Sequence, residues 1–215
     1  MNIIHYSGNE LLALESRYRT AFINSLGGFK SVVMVGTING AHQTNLAAFS
    51  SLFHIGASPP LCGLIFRPDT AERHTLENIM EMGVYTINHM TEASYKQGHQ
   101  TAARYDRADS EFEMTGLETQ FSAEMIAPYV ASSVVKFGMQ FKERIDLTIN
   151  GTILIIGQIV ETFIPESCIA EDGFVDLEQA GTVTLSGLDC YHLTTRLSRL
   201  TYPKPGIPVA EVVVK

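Results

Sequence analysis

At 215 residues with 45% hydrophobic side chains, the chain can bury a substantial core, and no apolar run approaches the roughly 20 residues that a membrane-spanning helix needs. A formal net charge of −8 excludes the broad basic face that nucleic-acid binding requires, so any anionic ligand must be held by a few local groups. Cys62, Cys168 and Cys190 are odd in number, far apart and outside any CxxC pair, which argues against a disulfide framework and against a zinc site.

The opening MNIIHYSGNE lacks the basic start and long apolar stretch of a secretion signal, and a cytoplasmic location is expected. Residues 10–25 carry Leu11, Leu12, Leu14, Tyr18, Phe22 and Ile23 at helical spacing, with Gly27-Gly28 as a stop. Residues 31–38 (SVVMVGTI) read as a strand, Asn39-Gly40 as a tight turn, and residues 44–51 as the returning arm of a hairpin. Residues 61–66 form a short apolar run between Pro59-Pro60 and Arg67-Pro68, the punctuation of a buried strand. A helix over 75–82, with Thr75 as its cap and Gly83 as its end, precedes a strand at 84–87. Residues 91–131 are polar and predict short helices and surface loops. Strands follow at 134–141, 145–149 and 152–164, the last two joined at Asn150-Gly151, with another near 182–185 and an extended, proline-rich tail at 202–208. At least seven strands against two or three helices, without βαβ alternation, predict an antiparallel barrel with helices packed outside it. One domain over residues 1–215 is expected, its core at about 20–200 and its C-terminal tail extended, since no linker or repeat interrupts the pattern.

The stretch 45–79 concentrates the chemistry. Asn45, Leu46, Ala47, Ala48, Ser50 and Ser51 mix small residues, hydroxyls and one amide, which lets a flat ligand approach the backbone. At the following helix start, backbone N–H groups offer donors to an anion, with Arg67, Arg73, His74 and Thr75 around it. Together these residues describe a pocket for a phosphorylated flat molecule. The plain alternatives are serines that end a strand, arginines paired with Asp69 and Glu72, and Thr75 as an ordinary cap.

Eight stretches, in order, carry a resemblance: 45–51 (NLAAFSS), 59–61 (PPL), 66–70 (FRPDT), 73–79 (RHTLENI), 85–88 (YTIN), and downstream Ser110-Glu111-Phe112-Glu113 before Gly116-Leu117, Ala127-Pro128 and 150–157 (NGTILIIG). In these the chain resembles the flavin reductase-like family with the FMN-binding split β-barrel, over about residues 20–205. Where many members carry proline, this chain has Ala48, also small. The resemblance implies a mainly β fold, an antiparallel Greek-key split β-barrel with a few peripheral helices, assembled as a homodimer that binds FMN at its interface. By position it implies that Asn45, Leu46, Ala47, Ala48, Ser50 and Ser51 line the flavin ring and ribityl chain, that Arg67, His74 and Thr75 take the phosphate, and that Gln100 and Thr101 approach the flavin or nicotinamide.

The activity so implied is an NAD(P)H-dependent flavin reductase, with NADH or NADPH as electron donor and a monooxygenase as a partner that receives reduced flavin. The alternative is a non-enzymatic FMN-binding electron-transfer protein or flavin carrier. No side chain is assigned as catalytic, because the cofactor itself carries hydride chemistry. The chain has no GxGxxG, so the nicotinamide is not expected on a Rossmann unit, and no GxSxG elbow for a hydrolase. His89, His99, Asp106 and Asp109 match no metal-ligand spacing and read as loop polars. Arg196, Arg199 and Lys204 form a local basic cluster that suits either a nucleotide phosphate or a solvated face. No nucleic acid and no membrane is expected among the partners.

Overall fold

A computed structural model describes residues 1–68 and 73–212. Two short helices open the chain, α1 (Gly8–Ala13) and α2 (Ser16–Leu26). The single helix expected over 10–25 is broken at Leu14-Glu15 because each piece has its own start. Ser7 and Glu10 form a reciprocal capping box on α1, and the Glu15 side chain accepts from the Tyr18 N–H on α2. Neither helix buries a residue, and Leu12, Tyr18, Ile23 and Leu26 stand exposed.

The strands that follow are β1 (Lys30–Ser31), β2 (Val33–Ile38), β3 (Thr44–Phe49), β4 (Phe53–Ala57) and β5 (Pro60–Phe66). After α3 (His74–Met82) and β6 (Val84–His89) come the short helices α4 (Tyr95–Gln100) and α5 (Glu111–Thr115) and a small pair, β7 (Thr119–Gln120) with β8 (Tyr129–Val130). The long hairpin β9 (Lys136–Leu147) and β10 (Thr152–Phe163), then β11 (Thr184–Ser186) and β12 (Cys190–His192), complete the set.

Seven strands form one antiparallel sheet in the order β3-β2-β6-β9-β10-β5-β4, and it is not closed. Its two edge strands are nonetheless consecutive in sequence. From Phe49 to Phe53 the chain takes four steps, at most about 14 Å when fully extended. The sheet must therefore curl until its edges nearly meet, which is the geometry of a split barrel. Side chains stitch the split: the Ser51 hydroxyl donates to the Ile65 carbonyl (2.8 Å) and accepts from the Ile65 N–H (3.2 Å), and the Phe49 and Phe66 rings meet edge-on at 4.8 Å.

β2 is buried along its whole length because both of its faces pack. Val33 and Val35 face an inner cluster with Leu64, Phe66, Tyr85, Ile87, Met139 and Ile155, and Leu76 and Ile79 of α3 join it. Val32 and Met34 face an outer cluster with Leu46, Met90, Phe112 and Val130. This two-sided burial explains why residues 31–38 read as a continuous apolar run.

Several local expectations need correcting. Asn39-Gly40 does mark a hairpin, but the loop has five residues: Asn39 Oδ1 accepts from the Ala41 and Gln43 N–H groups, and His42, at φ 62°, takes the left-handed position. The strands expected at 134–141 and 145–149 are one strand. Its polar Lys142-Glu143-Arg144 lies on an exposed ribbon beyond the core, still paired with β10 through a bulge. Strand β4 has no counterpart in the sequence pattern. The α3 cap is Arg73, so Thr75 sits inside the helix, while Gly83 ends it in the left-handed conformation, φ 70°. The basic cluster near the C-terminus is committed within the chain: Arg196 pairs with Asp176, and Arg199 pairs with Asp172 and lies over the Phe174 ring. The proline-rich tail makes a bridge between Lys204 and Ile207 and stays exposed.

His89, at the end of β6, lies edge-on to Phe137, with Nδ1 3.4 Å from Thr182 Oγ1. Burial pulls its pKa from an ordinary 6.5 down to about 4. Below pH 6.5 the unfolded chain accepts a proton that the folded chain refuses. Its contribution is therefore complete above pH 6.5 and is lost as the pH falls to about 4, by up to about 3 kcal/mol. Urea midpoints at pH 7 and pH 4.5 should differ less for His89→Gln than for the wild type; an equal difference refutes the assignment.

Candidate functional site

Among the described residues β3 is an edge strand, paired only with β2. In an antiparallel pair, successive residues point their N–H and C=O alternately at the partner and away from it. The Asn39 N–H bonds the Gln43 carbonyl, and the register runs Thr37 to Asn45, Val35 to Ala47 and Val33 to Phe49. The odd positions of β3 thus face β2, while Thr44, Leu46 and Ala48 face the open edge. The first half of that edge is covered by α5. The Leu46 N–H donates to Glu111 Oε2 at 2.9 Å, and Thr44 Oγ1 lies 2.8 Å from Ser110 Oγ. No bond from another element reaches the backbone of Ala48 among the described residues.

Behind β3 lies a buried polar network. Asn45 Nδ2 donates to Thr37 Oγ1 (3.2 Å) and to Thr75 Oγ1 (3.0 Å), and Asn78 Nδ2 donates to the same Thr37 hydroxyl (3.1 Å). It ties the start of α3 to β2 and β3, so helix and edge strand hold a fixed relation. Asn78 is 2% exposed, and its Oδ1 has no partner among the described residues. This acceptor belongs to a small polar recess also lined by Gln43, Asn45, His74 and Arg107. The Glu111 carboxyl, itself buried, is pushed up by burial, with the Leu46 N–H bond and the charge of His74 acting against the rise. A larger open groove between Ile38, Val84 and residues 121–126 is mainly apolar and shares only Thr44 with the recess.

The residues expected in a site are therefore not equivalent. Asn45, His74 and Thr75 come together at the start of α3. Ala47, Ala48 and Ser50 are half-buried at the sheet edge. Leu46 is fully buried in the outer cluster, with its N–H on Glu111, and the Ser51 hydroxyl is used in closing the split. Arg67 is exposed directly after β5. Arg73 reaches back to the Pro68 carbonyl at 3.3 Å, and its suggested partners Asp69 and Glu72 lie outside the described residues. Glu77 Oε1 accepts from the Arg73 N–H at 3.1 Å and pairs through Oε2 with Arg107, so one donor of the helix start already has an anionic partner. Gln100 bonds the Tyr105 hydroxyl at 3.1 Å, and Thr101 is buried with its hydroxyl on the Gly98 carbonyl. His99 bonds Tyr191, and no group of three His, Cys, Asp or Glu among the described residues is arranged to hold a metal.

Glu111, Asn78 and Thr37 were not foreseen as site residues. Glu111 falls in the polar segment 91–131, which predicts short helices and surface loops, and a glutamate there carries no sign of folding inward. The pattern that could have flagged it is the apolar Phe112 and Leu117 beside it, which anchor α5 to the outer cluster.

No helix among the described residues is long and apolar enough to cross a membrane. Residues 26–176 match the model of the flavin reductase-like domain. Among solved structures, a candidate flavin reductase with a split barrel domain from Shewanella frigidimarina is 47% identical, with a TM-score of 0.90 over 93% of this chain and 100% of that one. Nitrilotriacetate monooxygenase component B from Bacillus cereus (21% identical, TM-score 0.80, 93% and 100% covered) and the 2-nitrobenzoate 2-nitroreductase NbaA from Pseudomonas fluorescens (21%, 0.80, 95% and 98%) share the fold. No curated protein matches the chain. A family model that covers most of the chain and a close split-barrel relative lead to one assignment: the chain belongs to the flavin reductase-like family.

Proposed function

We propose that the chain is a single FMN-binding split-barrel domain that works as a cytoplasmic NAD(P)H-dependent flavin reductase. The observation that carries this reading is the open backbone edge at Ala48, on the strand whose Asn45 is bonded to Thr75 at the start of α3. These groups fit the ring and the phosphate of FMN. An unpaired strand edge suits the polar rim of a flat ring, and the start of α3 with His74, Thr75 and Arg67 suits a phosphate.

Bound flavin would supply the hydride-accepting chemistry, taking a hydride from NADH or NADPH at N5. The protein's part is to bind and orient. Ala47 and Ala48 keep the approach to the backbone open, the Thr37–Asn45–Thr75 bonds fix ring side against phosphate side, and Gln100 and Thr101 border the approach of the nicotinamide. The exposed apolar residues of α1 and α2 support a homodimer. The shared fold with a monooxygenase component B supports a monooxygenase as the acceptor of reduced flavin.

The test is anaerobic mixing of the FMN-loaded protein with NADH and, separately, NADPH. Fast bleaching of the flavin absorbance by either nucleotide is expected. Bound flavin that neither nucleotide bleaches would overturn the reductase in favour of an electron carrier, and a protein that does not quench FMN fluorescence would overturn both.

A further inference from the structure

We propose that Glu111 is a positioning residue for the flavin: its carboxylate, 2.9 Å from the Leu46 N–H, closes the first half of the β3 edge and makes Ala48 the point where backbone meets the ring. This rests on the flavin-binding reading above.

Alternation along β3 leaves outward backbone at Thr44, Leu46 and Ala48. At the start of α5, Glu111 takes the Leu46 N–H, and the cap residue Ser110 bonds the Thr44 side-chain hydroxyl. The helix is held there by Phe112, 2% exposed, which packs in the cluster that contains Leu46 and Met34. The cover stops short of Ala48, whose side chain is the smallest that still carries a Cβ.

Other groups in the stretch 45–51 are already spent. The Asn45 amide bonds Thr37 and Thr75, the Ala47 N–H faces β2, and the Ser51 hydroxyl bonds Ile65. What remains for a ring is the backbone of Ala48 and the residues leading to Ser50. A carboxylate that is 6% exposed is costly to bury, and the Leu46 N–H is its hydrogen-bond partner from β3. Fixing that N–H removes the freedom of an edge strand to shift, so the next outward N–H is presented at one place.

Two variants separate reach from charge. Glu111→Asp keeps the charge but shortens the side chain by one methylene, out of reach of Leu46; Glu111→Gln keeps the reach and an acceptor oxygen. Fluorescence quenching should show Glu111→Asp weakening FMN and riboflavin by the same factor, about tenfold, because the ring is common to both. Glu111→Gln should stay within about twofold of the wild type for both flavins. A role in stability alone would lower the number of binding sites and leave the affinity of the folded protein unchanged, and that result overturns the proposal. So does a loss confined to FMN, or Glu111→Gln as weak as Glu111→Asp.

Amide hydrogen exchange gives a second readout in folded protein. Adding flavin should slow exchange at Ala48, while Leu46 is already slow without it and becomes faster in Glu111→Asp. Slowing at Leu46 but not at Ala48 would overturn the proposal. A wild type that binds neither flavin brings down the parent reading. A wild type that binds both while Glu111→Asp binds them equally well brings down this inference alone.

Discussion

Gly36→Ala is expected to destabilise the protein by at least about 3 kcal/mol, measured by urea unfolding followed by circular dichroism. A Cβ at this position would lie 2.2 Å from the Pro128 carbonyl oxygen and 2.5 Å from Thr86 Oγ1. Neither atom can yield cheaply. The Thr86 hydroxyl donates to that same carbonyl at 2.6 Å, and the carbonyl belongs to buried backbone just ahead of β8. Gly36 cannot move either, because it pairs with Leu46 on one side and Thr86 on the other in a strand buried on both faces. The relief available is a shift of β2 against β3, and this would carry Leu46 away from Glu111. Whatever fraction of the variant folds should therefore bind flavin more weakly as well. Gly8→Ala is the control: nothing lies within 4 Å of its added Cβ, and alanine favours the helix it begins, so the effect should be neutral or slightly stabilising. A cost below about 1 kcal/mol for Gly36→Ala would refute the close packing of β2 against the 128 loop.

What is legible in the sequence follows the range of the interactions involved. Hairpins announced by Asn39-Gly40 and Asn150-Gly151 were legible because turn chemistry is local, and the end of α3 at Gly83 was legible for the same reason. Strand β4 was missed because Phe53 and Ile55 are exposed and its partner is fixed by the turn at Ser58-Pro59, so no buried run marks it. The length of β9 was misread because a strand that continues past the core as an exposed ribbon carries surface residues. The residue types that gather at a helix start and strand end single out Asn45, His74 and Thr75, and the fold brings the three together. What each of them bonds is not legible in the same way. Whether Thr75 caps the helix or anchors Asn45 depends on a bond across 30 positions, and the use of Leu46 depends on a carboxylate 65 positions away. Ser51 shows the same limit: a hydroxyl in a small-residue stretch suits a ligand, but here it bonds β5 because the barrel is split at that point.

Arg67→Ala should weaken FMN about tenfold and leave riboflavin within about twofold of the wild type, since a charge-assisted contact to phosphate is worth roughly 1.5–3 kcal/mol before its exposure is discounted. Arg67 is the cleanest probe of the phosphate side. It is exposed, follows directly on β5, and makes no ion pair among the described residues, so its removal disturbs little else. Thr75→Ala is not equivalent. The Thr75 hydroxyl accepts from Asn45 Nδ2, and its loss would loosen the link between α3 and β3, weakening both flavins together. The two substitutions thus predict different patterns from one titration series: FMN alone for Arg67→Ala, FMN and riboflavin for Thr75→Ala. The Arg67 effect should also shrink as salt is raised from about 0.05 M to 0.5 M, because an exposed ion contact is screened, whereas the Thr75 effect should not. If Arg67→Ala lowers the affinity for FMN and riboflavin equally, the guanidinium does not meet the phosphate. The start of α3, with Glu77 already on the Arg73 N–H, would then have to hold that phosphate through His74 and the backbone.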